Sequence, residues 1–178
     1  MSQLVLFIDD DELERRSTSD VLDEVFAGTT IRIEARKPLP ALADYAGFVA
    51  DATADALILD QRLNTAGGVA YTGVQLAAHM RAIGGNLPIV ILTNFPDDDF
   101  NPQGWAVESI VAKRDLLRGP DFPTAQAFKA RLSRQIEVAG TVRAEREQRY
   151  HDLLVKSTDG ALTPEEDEDL RRLEGERI

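Results

Sequence analysis

Four short aliphatic runs punctuate the chain, and each stops on a polar side chain. Leu4-Val5-Leu6-Phe7-Ile8 is closed by Asp9-Asp10-Asp11, Ala56-Leu57-Ile58-Leu59 by Asp60, and Ile89-Val90-Ile91-Leu92 by Thr93. A shorter run, Ser109 to Ala112, ends at Lys113. Runs this short and this poor in polar residues predict strands buried on both faces, the habit of a parallel sheet covered by helices. A further strand is expected at about 30–36, where Ile31 and Ile33 alternate with polar residues.

The stretches between the runs carry helical signals. Asp11 is placed to cap a helix with apolar positions Leu13, Val21, Leu22 and Val25, stopped by Gly28. Pro38 and Pro40 predict the start of a second helix reaching about Ala50, and a third is expected from Gly73 to Ile83. The segment 94–108, with Pro96, Pro102 and Asp97-Asp98-Asp99, reads as a loop in which Trp105 serves as an anchor. Strand and helix therefore alternate, which predicts an α/β fold built on a five-stranded doubly wound parallel sheet and followed by a helical tail.

From Pro123 the texture changes. A helical pattern runs through Phe128, Leu132, Ile136, Val142, Tyr150 and Leu153, and Thr158-Asp159-Gly160 breaks it. Thr163-Pro164-Glu165-Glu166 then starts another helix, with a capping hydroxyl, a first-turn proline and acids at the positive end of the dipole. The tail is expected to be a helical hairpin. Its charge is sorted: residues 128–149 hold six bases and three acids, and residues 150–178 hold nine acids and four bases. Opposite signs favour antiparallel pairing, within one chain or between two.

Composition narrows the function classes. The 178 residues carry a net charge of −11, which argues against a nucleic-acid grip, because phosphate contacts need clustered Lys and Arg. The chain has no cysteine, so thiolate metal sites and disulfides are excluded, and no stretch approaches a membrane span. A soluble cytoplasmic protein is expected.

In open parallel sheets ligands bind beyond the carboxyl ends of the strands, so Asp9, Asp10, Asp60, Thr93 and Lys113 are expected to share one site. Gathered carboxylates repel one another unless a hard cation offsets the charge, and Mg²⁺ suits oxygen ligands. A carboxylate can also be a nucleophile toward phosphorus, with Lys, a hydroxyl and the metal neutralising the transferring group. These residue types supply all the parts of such a reaction.

At these positions the chain resembles the receiver domain of two-component response regulators. Leu6-Phe7-Ile8-Asp9-Asp10-Asp11-Glu12 is similar to the family's first strand and acidic pair, Leu57-Ile58-Leu59-Asp60 to its phosphorylation strand, Ile91-Leu92-Thr93 to its switch strand, and Val111-Ala112-Lys113 to its lysine strand. The resemblance covers roughly residues 3–135 and implies the flavodoxin-like receiver fold. It divides the chain into a receiver-like part, 1–135, and a helical extension, 136–178.

The resemblance further implies that Asp60 accepts a phosphoryl group. Mg²⁺ would be held by Asp9, Asp10, Asp60 and the backbone carbonyl of Arg62, with Thr93 and Lys113 on the phosphoryl oxygens. The implied donor is a sensor histidine kinase or a histidine phosphotransfer protein. The implied output is regulation of a downstream protein partner, with homodimerisation through the tail a further expectation. No enzymatic activity is implied beyond self-phosphorylation and self-dephosphorylation. Some positions depart from the pattern: Arg114 follows Lys113 where proline is usual, Ile110 stands where a switching Tyr or Phe is common, and Asn64 stands where proline is frequent.

A different class has partial support. Asp9-x-Asp11, Leu92-Thr93-Asn94 and Lys113 also resemble motifs of haloacid dehalogenase-like phosphatases, with Asp9 as nucleophile and Asp11 as acid/base. That reading leaves Asp60 without a task. A third reading is a receiver-like scaffold that works without phosphorylation.

Overall fold

Because both faces of the aliphatic runs are apolar, the strands they form can be covered on both sides, and all five pair in parallel. The computed structural model describes residues 2–100 and 103–175. Its strands are β1 (Gln3–Ile8), β2 (Ile31–Arg36), β3 (Ala56–Leu59), β4 (Ile89–Thr93) and β5 (Ser109–Ala112). Its α-helices are α1 (Glu12–Phe26), α2 (Tyr45–Ala52), α3 (Gly73–Ala82), α4 (Lys113–Leu116), α5 (Pro123–Thr158) and α6 (Pro164–Gly175). The sheet order is β2-β1-β3-β4-β5. The chain thus leaves β1 toward β2 and returns to its other side with β3, which opens a crevice beyond the carboxyl ends of β1 and β3.

Register decides which residues meet there. Ile8 pairs with Leu59, Leu59 with Ile91, and Thr93 with Ala112. The residues at or just beyond these pairs, Asp9, Asp60, Thr93 and Lys113, consequently stand along one edge of the sheet.

The two-residue period of a strand splits each run between two cores. Leu6, Ile8, Leu57, Leu59, Ile89 and Ile91 pack with Tyr45 and Val49 of α2 and with Leu76 and Met80 of α3. On the opposite face Val5, Phe7, Ile58, Val90 and Leu92 pack with Leu22 and Phe26 of α1 and with Phe128, Leu132 and Ile136 of α5.

Several local expectations are corrected. Leu13 is 78% exposed, whereas Arg15 and Thr18 lie on the buried face of α1. No helix starts at Pro38 or Pro40: the chain stays irregular until a single 3₁₀ turn, Leu42–Asp44, leads into α2, which Thr53 ends in the left-handed conformation. Between β4 and β5 the alternation of strand and helix breaks, because that connection holds no α-helix among the described residues, only a 3₁₀ turn at Gln103–Ala106. Pro102 lies outside the described residues. Trp105 is 71% exposed and does not anchor this segment; its neighbour Ala106 does, buried against the α2 and α3 side of the sheet. The one-turn helix α4, which begins on Lys113 itself, carried no signal in the sequence.

The tail follows its caps. Thr163 Oγ1 accepts from the Glu166 N–H at 3.2 Å and Glu166 Oε2 accepts from the Thr163 N–H at 3.2 Å, a reciprocal capping box that starts α6. Arg149 pairs with Asp169 at 3.0 Å and Lys156 with Glu166 at 2.6 Å, so α6 returns antiparallel along α5. Among the described residues no helix is long and apolar enough to cross a membrane.

Candidate functional site

At the carboxyl edge of the sheet, a buried lysine holds two buried carboxylates. Lys113 Nζ lies 2.7 Å from Asp9 Oδ2 and 2.9 Å from Asp60 Oδ1, with Glu14 Oε2 farther away at 3.7 Å. Asp9 is 1% exposed and Lys113 4% exposed. Burial raises the Asp9 pKa above the ordinary carboxylate value, and the Lys113 contacts only partly offset this. Burial also opposes the charge on Lys113, but the carboxylates of Asp60 and Asp9 together outweigh it and hold the lysine above its ordinary value. Lys113 therefore stays a cation with two acidic partners.

Asp60 is fixed by its own turn. Asp60 Oδ2 accepts from the Arg62 N–H at 2.6 Å, and the Asp60 N–H donates to the Ile8 carbonyl at 2.8 Å. The start of α3 presses on this turn so closely that a Cβ at Gly73 would sit 2.3 Å from the Asp60 carbonyl oxygen. Only glycine allows that approach. The buried Gln61 fastens the same junction, its carbonyl accepting from the Gly73 N–H at 2.9 Å and its side-chain oxygen from the Val74 N–H at 3.2 Å. Thr93 is fully buried, and its hydroxyl accepts from the Phe95 N–H at 3.0 Å.

Asp10 faces elsewhere. Its Oδ2 accepts from the Ala66 N–H at 2.6 Å, and the Thr65 hydroxyl lies 3.2 Å from that oxygen and 3.1 Å from the Arg62 carbonyl oxygen. One hydroxyl has one proton and serves these acceptors in turn. The four expected metal donors are thus gathered as two pairs: Asp9 and Asp60 meet on Lys113, and Asp10 and the Arg62 carbonyl meet on Thr65. Among the described residues no three acidic or histidine side chains come together closely enough to hold a metal ion as they stand. The donor set is nonetheless all oxygen and rich in carboxylate, the chemistry that suits Mg²⁺. Asp11 is committed to helix capping, accepting from the Leu13 N–H at 2.8 Å and the Glu14 N–H at 3.0 Å.

Some residues around the site gave no sequence signal. Arg15 Nη1 donates to the Asp9 carbonyl at 2.8 Å, from a position inside the α1 apolar pattern where an arginine reads as solvated. Arg62 reaches across to the loop after β4, its Nε and Nη2 donating to Asp98 Oδ2 at 3.1 Å and Asp98 Oδ1 at 2.9 Å. Its guanidinium carbon stands 3.4 Å from the Phe95 ring centroid. The Arg62 hydrogen bonds hold the Asp98 carboxyl below its ordinary value. An acidic run reads as solvated, and its closeness to Thr93 in sequence leaves room for a cation; that the cation is the Arg62 guanidinium is visible only in the fold.

Solved structures that match this arrangement of elements include response-regulator receivers. The fold is that of the CheY-like receiver domain. A response regulator from Thermotoga maritima, solved in complex with Mg²⁺-BeF, matches with a TM-score of 0.54 at 18% identity, over 73% of this chain and 98% of that one. A receiver domain from Methanospirillum hungatei matches at 0.51 and 16% identity, over 77% and 98%, respectively. A LuxR-family DNA-binding response regulator from Staphylococcus aureus matches at 0.53 and 14% identity, over 75% and 98%. No family model and no curated protein matches the sequence. What lies beyond the receiver fold in this chain is helical, the continuation of α5 and then α6.

Proposed function

We propose that the chain is a phosphorelay signalling protein that accepts a phosphoryl group on Asp60. The observation that carries this reading is Lys113, buried and shared between Asp60 and Asp9 at the carboxyl edge of a receiver-type sheet, the edge on which β4 ends at the buried Thr93. A carboxylate oxygen of Asp60 attacks the phosphorus of a phosphohistidine on a sensor kinase or transfer protein. The O–P bond forms, the N–P bond breaks, and the imidazole leaves and takes up a proton. Lys113 and Thr93 then neutralise the phosphoryl oxygens. Mg²⁺, held by Asp9, Asp10, Asp60 and the Arg62 carbonyl, would supply further charge neutralisation when bound. The products are an aspartyl phosphate and a free histidine, so the chain acts as a regulator whose own chemistry is confined to gaining and losing that group.

In this reading residues 1–135 are the receiving module and residues 136–178 the arm that docks a downstream protein or a second copy. The phosphatase reading loses its acid/base, because Asp11 is engaged in capping α1. The test is incubation with acetyl phosphate and Mg²⁺ followed by mass spectrometry. Label is expected on Asp60, lost in Asp60→Asn and on chelation of the metal. Label on Asp9, or label that persists in Asp60→Asn, would sink the proposal.

A further inference from the structure

The turn after Asp60 and the loop after β4 each hold the side chain of a site residue through a backbone N–H, and one guanidinium joins the two. The Arg62 N–H donates to Asp60 Oδ2, and the Phe95 N–H donates to Thr93 Oγ1. The Arg62 side chain is the bridge, forked onto Asp98 and stacked on Phe95. Each half of this clamp is therefore one hydrogen bond from a residue assigned to the phosphoryl group. The segment it restrains contains no α-helix. On the neighbouring strand Ile110 is aliphatic and partly exposed, with no polar group that could follow Thr93.

Charge decides how the clamp responds. Asp98 offers Arg62 a single negative charge near the surface, whereas a phosphoryl group carries about −1.5 to −2 and three strong acceptor oxygens. Arg62 is close enough to the acceptor that the Asp60 charge adds to the upward push that Asp98 already exerts on its pKa. A planar fork that binds a carboxylate bidentately binds a phosphoryl group equally well.

We propose that Arg62 is the charge sensor of this receiver fold, a positioning residue whose guanidinium leaves Asp98 and Phe95 for the phosphoryl group on Asp60 and so releases residues 94–100. The inference rests on the phosphoacceptor reading. Release uncovers a face of the Phe95 ring, which is already 46% exposed, and creates an apolar contact present only in the phosphorylated form.

The test loads the full chain with beryllofluoride and Mg²⁺, follows occupancy by fluorine NMR, and measures hydrogen exchange of the amides of residues 94–100. In the wild type a bound fluorine resonance is expected together with exchange about two- to fivefold faster, the range set by an exposed ion pair. Arg62→Ala, which keeps the backbone carbonyl, is expected to exchange fast both with and without beryllofluoride. Arg62→Lys, which cannot fork, should give a smaller increase on loading than the wild type. Asp98→Asn, which frees the guanidinium, should bind beryllofluoride about two- to fivefold more tightly. A bound resonance with unchanged exchange in the wild type overturns the sensor while leaving the acceptor reading intact, as does an unaltered increase in Arg62→Ala. No bound resonance in the wild type overturns both.

Discussion

Along helix α5, Ala125, Phe128, Leu132 and Ile136 are buried in succession, and after Ile136 no residue is buried until Leu153. The first stretch packs with α1 on one face of the sheet, where Phe128 meets the Phe26 ring edge-on at 5.8 Å between centroids. The second stretch is the arm. Its small core is Leu153, Leu170 and Leu173 with Tyr150 and Leu162 against them, and ion pairs at exposed positions supply the rest. One uninterrupted helix thus runs through two energetic regimes. In the body, removal of apolar surface from water dominates; in the arm, burial is slight and charge pairing at the surface contributes little per pair. Under the proposed function, a contact that must form and break belongs to the weaker regime. Where the two meet, Arg143 of α5 lies 3.5 Å from Asp55 at the start of β3, the opposite edge of the sheet from the site.

The contrast can be broken most severely inside the body. Lys113→Ala leaves Asp9 and Asp60 buried without their cation, and removal of one partner of a buried pair costs about 3–5 kcal/mol. Urea unfolding of the variant should show that loss at neutral pH, with recovery as acid protonates Asp9. An unchanged midpoint would contradict the buried network.

A matched pair of leucines sharpens the same comparison. Leu132→Ala, in the body, is expected to lower global stability by about 2–5 kcal/mol, whereas Leu170→Ala, in the arm, should remove about 2 kcal/mol or less and only locally. Hydrogen exchange separates them: the first should speed exchange throughout the sheet, the second only in α6 and the end of α5. Equal effects on the sheet would mean that body and arm form one cooperative unit.

The smallest expected effect is on acidification. Lys156 holds the Glu166 carboxyl below its ordinary value of 4.5, and Arg172 and Arg149 hold Asp169 below 3.8. A depressed carboxyl supports the folded form fully above its ordinary value and loses that support as pH falls through it. Asp9 has the opposite sign. Its pKa is raised by burial, so acid removes a cost to the folded body. Between about pH 5 and pH 3 the arm should therefore loosen while Asp9 opposes any loosening of the body. Amide NMR signals of α6 broadening ahead of those of β1 and β3 would bear this out; simultaneous loss would not.

Legibility followed the range of the interactions. The ends of β1, β3, β4 and β5 were readable because an apolar run and its polar stop are adjacent in sequence. Parallel register then carries Asp9, Asp60, Thr93 and Lys113 to one edge. Leu13 was misplaced on the buried face of α1 because helical spacing alone does not fix where a stripe is centred, and Arg15 and Thr18 occupy it instead. Asp10 adjoins Asp9 in the acidic pair, yet its carboxylate binds a loop 56 residues away, at Ala66.

By itself the sequence determined the order of the elements, the five parallel strands, the acidic and basic residues at their ends, and the break and the cap that make the tail a hairpin. All of these are set by neighbours within a few positions, through periodicity, capping and turn chemistry. The tertiary structure alone decided that Arg62 grips Asp98, 36 residues away, that Asp10 turns to Thr65 and Ala66, and that the arm is held by three leucines. Those contacts depend on which loops the folded sheet brings together, and side chains that look solvated in sequence acquire partners only when distant backbones converge.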